Sequence, residues 1–563
     1  MKQQLIECVP NFSEGKDMNV INKITDEIRN TEGVQLIDVD PGEATNRTVV
    51  TFVGPPEEVC EAAFKAAKKA SELIDMTKHS GAHPRFGATD VCPLVPVSNI
   101  TMEETVEYAR RLGKRIGEEL DYPVYLYEKA ASKPEHENLA YVRSGEYEAL
   151  NKKLKKDEWK PDYGPHKFVP EAGATAVGAR NFLVAYNFNL NTTSTRRANS
   201  VAFDVREKGR IKREGNSTTG KVVKDENGEP VRIPGKLKKT KAIGWYIEEY
   251  GVAQISMNLT DISVTSIHEA FDAVEESAIS RGLRVTGSEL VGVVPLKAML
   301  DAGKHYLTKQ RRSLGVSDDE LIKIAVKSLG LDELYPFDPD KKIIEYILEK
   351  GKEDGKKLVD MNLKDFVHET ASESPAPGGG SISSYMGSMG AALGTMVANL
   401  SSHKRGWDDY WKEYSDWAEK GKYYHDQLLK MVDEDTNAFN KIMEAFKLPK
   451  NTDEEKQKRK QAIQDATKNA IEVPYTVMKL CYESMEVMKA MADKGNPNSV
   501  SDAGVGALAA VAGIRGAFLN VKINAGGMDD KSYVDEVIKN GESIVEKASQ
   551  LEKEILEIVE KKI

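Results

Sequence analysis

The chain has 563 residues, 40% hydrophobic and 30% charged, with a formal net charge of −10. That length exceeds a single core and implies roughly three to five domains, while the acidic balance excludes general nucleic-acid binding, which needs a basic face. Four cysteines, Cys8, Cys60, Cys92 and Cys481, have neither zinc spacing nor the density of a disulfide scaffold, so reduced thiols in a cytoplasmic protein are expected. The opening MKQQLIECVPNFSEG has no apolar run, and no signal peptide is expected.

In chain order, Asp17 to Arg29 reads as a helix, and Val34 to Val39 and Thr48 to Val53 as strands. Pro55 to Ile74 reads as a helix and Val91 to Val97 as a strand. A second unit opens with the strand FLVAYNFNL from Phe182, continues with the strand Val252 to Asn258, and adds the helix Ser266 to Arg281. Such alternation predicts helices packed on sheets. The Gly/Asn/Lys-rich stretch Gly209 to Lys236 reads as a surface excursion. Beyond Lys364 the pattern is helical, with breaks at Pro375 to Gly380, Leu448 to Asp453 and Asn496 to Ser501. The expected architecture is two α/β sandwich subdomains (1–181 and 182–335), a linker (336–363) and an all-α helical bundle (364–563). Ser381 to Leu400 has the length of a membrane span, but its serines, threonines and glycines favour a core helix packed through small residues.

Four features carry chemistry. His83, in GAHPRFGATDVCP, sits between Gly81 and Pro84 at a strand entrance; it is either a turn histidine or a proton-transfer group. On the predicted helix Gln427 to Phe446, Leu428, Met431, Val432, Phe439 and Ile442 form one stripe with Asp435 at its centre. A carboxylate there is a structural ion pair, or a proton donor whose pKa burial has raised. Gly378, Gly379 and Gly380 precede a helix and either bring backbone N–H groups to a ligand or allow close helix packing. Two basic islands stand out: Arg206 to Lys241, with twelve Lys/Arg against five Asp/Glu, and Lys152 to Lys160, with five Lys against two acids. They are either solvated surface or attractors of a polyanion. Asp502 reads as a helix N-cap. His79 and His83 are a poor zinc pair because Gly81 and Pro84 interrupt any helix between them, and no metal or nucleotide site is expected.

CVPNFSEG (Cys8 to Gly15), DVD (Asp38 to Asp40), TNRTV (Thr45 to Val49), the His83 loop, GARNFLVAYNFNL and VGVVPLKAML resemble the formiminotransferase family. APGGGS, VDED (Val432 to Asp435) and KLPKNT (Lys447 to Thr452) resemble the cyclodeaminase/methenyltetrahydrofolate cyclohydrolase family. In this order the two resemble the bifunctional formimidoyltransferase-cyclodeaminases, a family of transferase and lyase activity. The resemblance implies transfer of a formimino group from N-formimino-L-glutamate to tetrahydrofolate in histidine degradation. It then implies cyclisation of 5-formimino-tetrahydrofolate to 5,10-methenyl-tetrahydrofolate with loss of ammonia. By the same resemblance His83 and Asp435 are catalytic, Asp40 orients His83 or the amidinium, Asn46 is a neighbouring polar position, and Arg47 holds a substrate carboxylate. Gly164, Pro165, His166, Lys167, Phe168, Val169, Pro170, Glu171, Ala172 and Gly173 match its folate-binding segment. Tetrahydrofolate, polyglutamylated in the cell, is then a co-substrate, the partners are small molecules rather than nucleic acid or membrane, and the protein is a homo-oligomer with its helical halves paired. The alternatives are a cyclohydrolase in the helical half, or a non-catalytic folate-binding scaffold. The excursion Gly209 to Lys236 is longer than the family pattern.

Overall fold

The computed structural model describes residues 4–42, 46–81, 85–216, 219–350 and 357–563. Two compact units appear, Met1–Met299 with Val326–Lys352, and Leu300–Ala325 with Glu353–Ile563.

In the first unit, Leu5–Cys8 and Asn11–Phe12 act as one interrupted strand between Arg47–Gly54 and Thr89–Ser98, antiparallel to both. Pro10, lacking an N–H, falls at the interruption. Gln35–Gly42 lies outside Arg47–Gly54. With helices Met18–Arg29 and Pro56–Leu73 this is a βαββαβ unit whose sheet order is second, third, first, fourth strand. Val184–Leu190, helix Thr195–Val205, the hairpin Thr240–Ile247 and Val252–Leu259, helix Ile267–Ser280 and Val285–Val291 repeat the same order in a second, fully antiparallel sheet. The two α/β sandwiches therefore share one split-βαβ topology. The first extends it with two parallel strands, Thr175–Ala179 and Val124–Glu128. Helix Met18–Arg29 shows why such sequences fold this way: Ile21, Ile24 and Ile28 bury one stripe, and Asp17 caps the start by accepting from Asn19 N.

The excursion Gly209 to Lys236 contains a two-stranded ribbon, Arg210–Ile211 against Arg232–Ile233. Residues 339–350 form the short helices Pro339–Lys342 and Ile344–Lys350, and Ile343 and Ile344 are fully buried.

The second unit is built on five long helices, Gly379–Ser402, Trp411–Lys447, Asp453–Lys494, Val500–Ala525 and Lys531–Glu560. Small residues let the first and fourth touch through backbone: a Cβ on Gly390 would lie 2.6 Å from Gly506 O, and one on Gly506 2.8 Å from Gly390 O. By length and composition one helix among the described residues, Pro497–Ala525, could cross a bilayer, rather than Ser381 to Leu400. Its Ala503, Ala507, Ala510, Ile514 and Ala517 are fully buried in the helical core. Asp502 is not an N-cap: that helix starts at Val500, and Asp502 lies half-buried in its first turn, where a negative charge favours the helix dipole.

Glu7 is 4% exposed in a central strand, and burial pushes its carboxyl from 4.5 up to about 7, with Arg180 opposing in part. A raised carboxyl contributes stability that is complete below its unfolded value and is lost as pH rises through about 7. The shift corresponds to about 3 kcal/mol. Glu7→Gln removes this titration, so wild type should lose melting temperature relative to the variant between about pH 5 and about pH 8. Parallel melting curves over that range would show that Glu7 does not titrate there.

Candidate active sites

In the first unit, Asn46 takes a left-handed φ of 49° and joins three segments. Its Oδ1 accepts from Gly15 N at 3.0 Å, its Nδ2 donates to Ser80 O at 2.9 Å, and its carbonyl lies 2.8 Å from His79 Nε2. Arg85 donates from Nε to His79 Nδ1 and from a guanidinium N–H to His79 O, both at 3.2 Å. The His79 ring is thereby set with Nε2–H donating and Nδ1 accepting, and burial lowers its pKa, which keeps it neutral. Both ends of the loop that carries His83 are therefore fastened, to Asn46 and to each other. His83 itself lies outside the described residues, as does Thr45 of the TNRTV motif.

Arg85 also pairs with Glu148 at 2.5 Å, and its carbonyl accepts from Tyr147 N at 2.9 Å. Tyr147 reaches on: its hydroxyl donates to Pro170 O at 2.7 Å, and its ring centroid lies 5.6 Å from that of Phe168. The latter part of the segment Gly164–Gly173 thus runs beside Arg85 to Ala88, with Ala172 O accepting from Ala88 N at 2.8 Å. Gly173 makes a bridge to Gly87, and Val169 O accepts from Gly173 N at 2.8 Å. Glu171 is exposed, and its carbonyl accepts from Met76 N at 2.9 Å. The earlier part has other neighbours. A Cβ on Gly164 would meet the Tyr122 and Gly117 backbones, Lys167 lies 3.7 Å from Asp121, and Pro165 and His166 precede it at the surface.

Arg47 stands next to Asn46 at the start of its strand, with Asp40, exposed, on the neighbouring strand. Burial lowers the Arg47 pKa, and the charges of Asp90 and Asp40 oppose that shift. Asp90 is fully buried and pairs with Arg143 at 2.5 Å, while its Oδ1 and Arg143 Nε have no hydrogen-bond partner among the described residues. Burial pushes Asp90 up to about 6 against the pull of Arg143 and Arg47. The pair and its two open hydrogen-bonding positions were not singled out in the sequence. Asp90 carried a signal nonetheless, as the one charge inside the apolar run TDVCPLVPVS.

In the second unit the structure brings Asp435 and the triple glycine together. Helix Gly379–Ser402 starts with Gly378 as its N-cap, and Ser381 N donates to Asp435 Oδ2 at 2.9 Å. Ser381 Oγ lies 3.2 Å from the same oxygen and 2.9 Å from Val432 O. A Cβ on Gly380 would fall on the carboxylate, 2.6 Å from Asp435 Oδ2, whereas one on Gly379 would lie 3.3 Å from Asn520 Nδ2. Burial raises the Asp435 pKa, and the two Ser381 hydrogen bonds offset part of the shift. Asp435 is thus a half-buried carboxyl seated on a helix N-terminus, with no cation bridging it among the described residues. The stripe around it needs correction: Leu428 and Val432 are fully buried, but Phe439 is 43% exposed, and Ala438 and Ala445 continue the buried face. Asp433 turns elsewhere and accepts from Leu358 N at 2.7 Å. Among the described residues no cluster of three or more His, Cys, Asp or Glu could hold a metal.

Lys153 does not belong to a surface basic island. Its ammonium lies 3.6 Å over the Trp159 ring and donates to Val142 O at 3.0 Å, and burial pushes its pKa down to about 8.

A fastened loop in the first unit and a half-buried carboxyl on a glycine-led helix in the second define an enzyme with one polar site in each unit, and comparison with known proteins places it. The chain matches the formiminotransferase domain, N-terminal subdomain, over residues 5–180, the formiminotransferase domain over 185–349, and formiminotransferase-cyclodeaminase over 362–560. It is 44% identical to formimidoyltransferase-cyclodeaminase of Gallus gallus across 99% of both chains. Residues of the α/β half are 41% identical to glutamate formimidoyltransferase of Streptococcus pyogenes serotype M1, covering 54% of this chain and 93% of that one. The helical half is 40% identical to methenyltetrahydrofolate cyclohydrolase of Methylorubrum extorquens, covering 36% of this chain and 97% of that one. The chain belongs to the formimidoyltransferase-cyclodeaminase family.

Proposed function

We propose that this protein moves the formimino group of N-formimino-L-glutamate to N5 of tetrahydrofolate and then cyclises 5-formimino-tetrahydrofolate to 5,10-methenyl-tetrahydrofolate, within histidine degradation in the cytoplasm. The observation that carries this reading is similarity along the whole chain to a bifunctional relative, with each half also similar to a relative named for one activity. In the first step N5 attacks the amidine carbon and glutamate departs, with His83 moving the proton between the two nitrogens. Asn46 and Arg85 fix the flanks of its loop, and Arg47 receives a substrate carboxylate through charge-assisted hydrogen bonds. In the second step N10 attacks the same carbon and ammonia leaves, taking a proton that a carboxyl with a raised pKa is suited to give. Asp435 supplies it, held by Ser381 where Gly380, lacking a Cβ, admits the carboxyl to the helix start.

One coupled assay tests the whole reading: N-formimino-glutamate plus tetrahydrofolate, with glutamate, ammonia and methenyl-tetrahydrofolate followed separately. The similarity of the helical half to a cyclohydrolase favours one second reading, hydrolysis of the methenyl product. Ammonia released from supplied 5-formimino-tetrahydrofolate separates the two. The homo-oligomer is supported by an uncovered apolar face on helix Val500–Ala525, where Val505, Leu508, Leu519 and Ile523 are 46–76% exposed. Sedimentation velocity decides it.

Polyglutamylated folate requires local positive charge on an acidic protein. Lys152, Lys155 and Lys156 are exposed, though Lys156 lies 3.4 Å from Glu158, and Lys236 is paired with Glu276 at 2.7 Å. An open groove of about 290 Å³ lined by Lys450, Lys456, Arg459, Lys460 and Ile463 is a further basic surface in the helical unit. Changing Lys450, Lys456 and Lys460 to Gln should increase release of 5-formimino-tetrahydrofolate from pentaglutamate substrate at low salt, and less so at physiological salt, where screening acts over ~8 Å. Equal release by wild type and variant, whatever the tail length, would remove this groove from the reading.

A further inference from the structure

The antiparallel sheet of the second α/β sandwich has two unlike faces. On one rung Gly244, Ile255, Phe188 and Ser288 point to the side of helices Thr195–Val205 and Ile267–Ser280, where Phe188 meets Phe271. The next rung, Trp245, Gln254, Asn189 and Gly287, points the other way. On that face, turned away from those two helices, Asn187 stands opposite Glu289. Asn187, Asn189 and Gln254 are 7%, 0% and 1% exposed, an unusual set for the face of a sheet, where buried amides are costly unless every donor is met.

Two of these amides and a tyrosine converge on one carboxylate. Asn187 Nδ2 and Gln254 Nε2 donate to Glu289 Oε2 at 3.1 and 3.2 Å, and the Tyr250 hydroxyl lies 3.3 Å from Oε1. Gln254 is in turn fixed by Asn189 Oδ1 at 2.9 Å and by Trp245 Nε1 at 3.1 Å. All these donors are neutral, and no lysine or arginine pairs with Glu289 among the described residues. Gly287 opens the end of the rung: a Cβ there would lie 2.6 Å from Glu333 Cβ, and Glu333 accepts from Asn189 at 2.7 Å. Trp245, 45% exposed, reaches the carboxylate through Gln254, and the Tyr250 ring, whose hydroxyl meets the carboxylate, lies 6.4 Å from that of Tyr335.

We propose that this face binds a planar heterocycle by an amidine-type edge, two adjacent N–H donors received by Glu289, with the ring against Trp245 and Tyr250. A half-buried carboxylate held in place by neutral groups gains most from a ligand that brings paired donors, and flanking aromatics select flat rings. This inference rests on the transferase reading, both of whose substrates carry such an edge: the 2-amino-4-oxo ring of tetrahydrofolate and the formimino group of N-formimino-glutamate. The aromatic neighbours favour the ring.

The test uses full-length protein, wild type and Glu289→Gln, and calorimetric binding of two probes, 6-methyltetrahydropterin and N-formimino-glutamate. Glutamine keeps the shape but presents one acceptor in place of two, and losing a hydrogen bond to a charged group weakens binding by about tenfold or more. A weaker pterin complex with unchanged N-formimino-glutamate binding establishes the ring as the ligand. Weakening of N-formimino-glutamate binding alone overturns the heterocycle as the ligand of this face. Both affinities unchanged within about twofold overturn the proposal. Should Glu289→Gln fail to fold, the exposed position Trp245→Ala carries the test, and unchanged pterin affinity there overturns it. Glutamate release by wild type reads the transferase reaction separately, so failure of that reading is distinguishable.

Discussion

His83→Ala should abolish glutamate release while leaving cyclisation of supplied 5-formimino-tetrahydrofolate nearly intact, and Asp435→Ala should do the reverse and let 5-formimino-tetrahydrofolate accumulate. Loss of a positioned acid-base group costs ~10²–10⁴-fold in rate, so each variant should show one activity near background beside one near wild type. The surviving activity doubles as the control for folding. A pH profile sharpens the assignment of Asp435: its pKa is raised by burial, and an acid works only while protonated, so cyclisation should fall as pH rises through that raised value. The transferase should not follow the same limb. If either variant loses both activities while its melting curve is unchanged, the two-site assignment is wrong.

Asp435 could be picked out from the sequence because helical periodicity is strong over Trp411–Lys447, and one carboxylate in an apolar stripe violates it visibly. Asp90 violates strand patterning just as plainly, yet its partner Arg143 lies in an irregular polar stretch where no period exists to be broken. Lys153 reads as surface because four lysines crowd together, and only the tertiary placement of Trp159 makes a buried cation of it. The strand Thr175–Ala179 also escapes: TAVGA is short, buried at every position and without alternation, which suits a parallel strand covered on both sides. The shared topology of the two sandwiches is invisible in composition, since strand order depends on pairings far apart in the chain. The meeting of Gly380 with Asp435 is likewise a matter of helix packing, 55 residues apart in sequence.

That meeting supplies a test of how the second site is assembled rather than of the acid itself. Gly380→Ala should reduce ammonia release by ~10²-fold or more, the lower range for losing a positioned acid, while glutamate release stays at the wild-type level. A methyl group there would fall within the Asp435 carboxylate, 2.6 Å from Oδ2, nearer than any real Cβ approaches an oxygen. Either the carboxyl rotates away from Ser381 N or the helix start moves, and each outcome breaks the 2.9 Å hydrogen bond that holds the acid. Gly379→Ala is the matched control, because its Cβ would meet only the end of the Asn520 side chain, at 3.3 Å from Nδ2, and that amide can turn. Ser381→Ala should fall between the two: it removes the hydroxyl at 3.2 Å but keeps the backbone donor. An order of Gly380→Ala, then Ser381→Ala, then Gly379→Ala in lost cyclisation supports an acid positioned by the glycine-led helix start. Equal losses in Gly379→Ala and Gly380→Ala would mean that the glycines serve the packing of the helix and not the seating of the carboxyl.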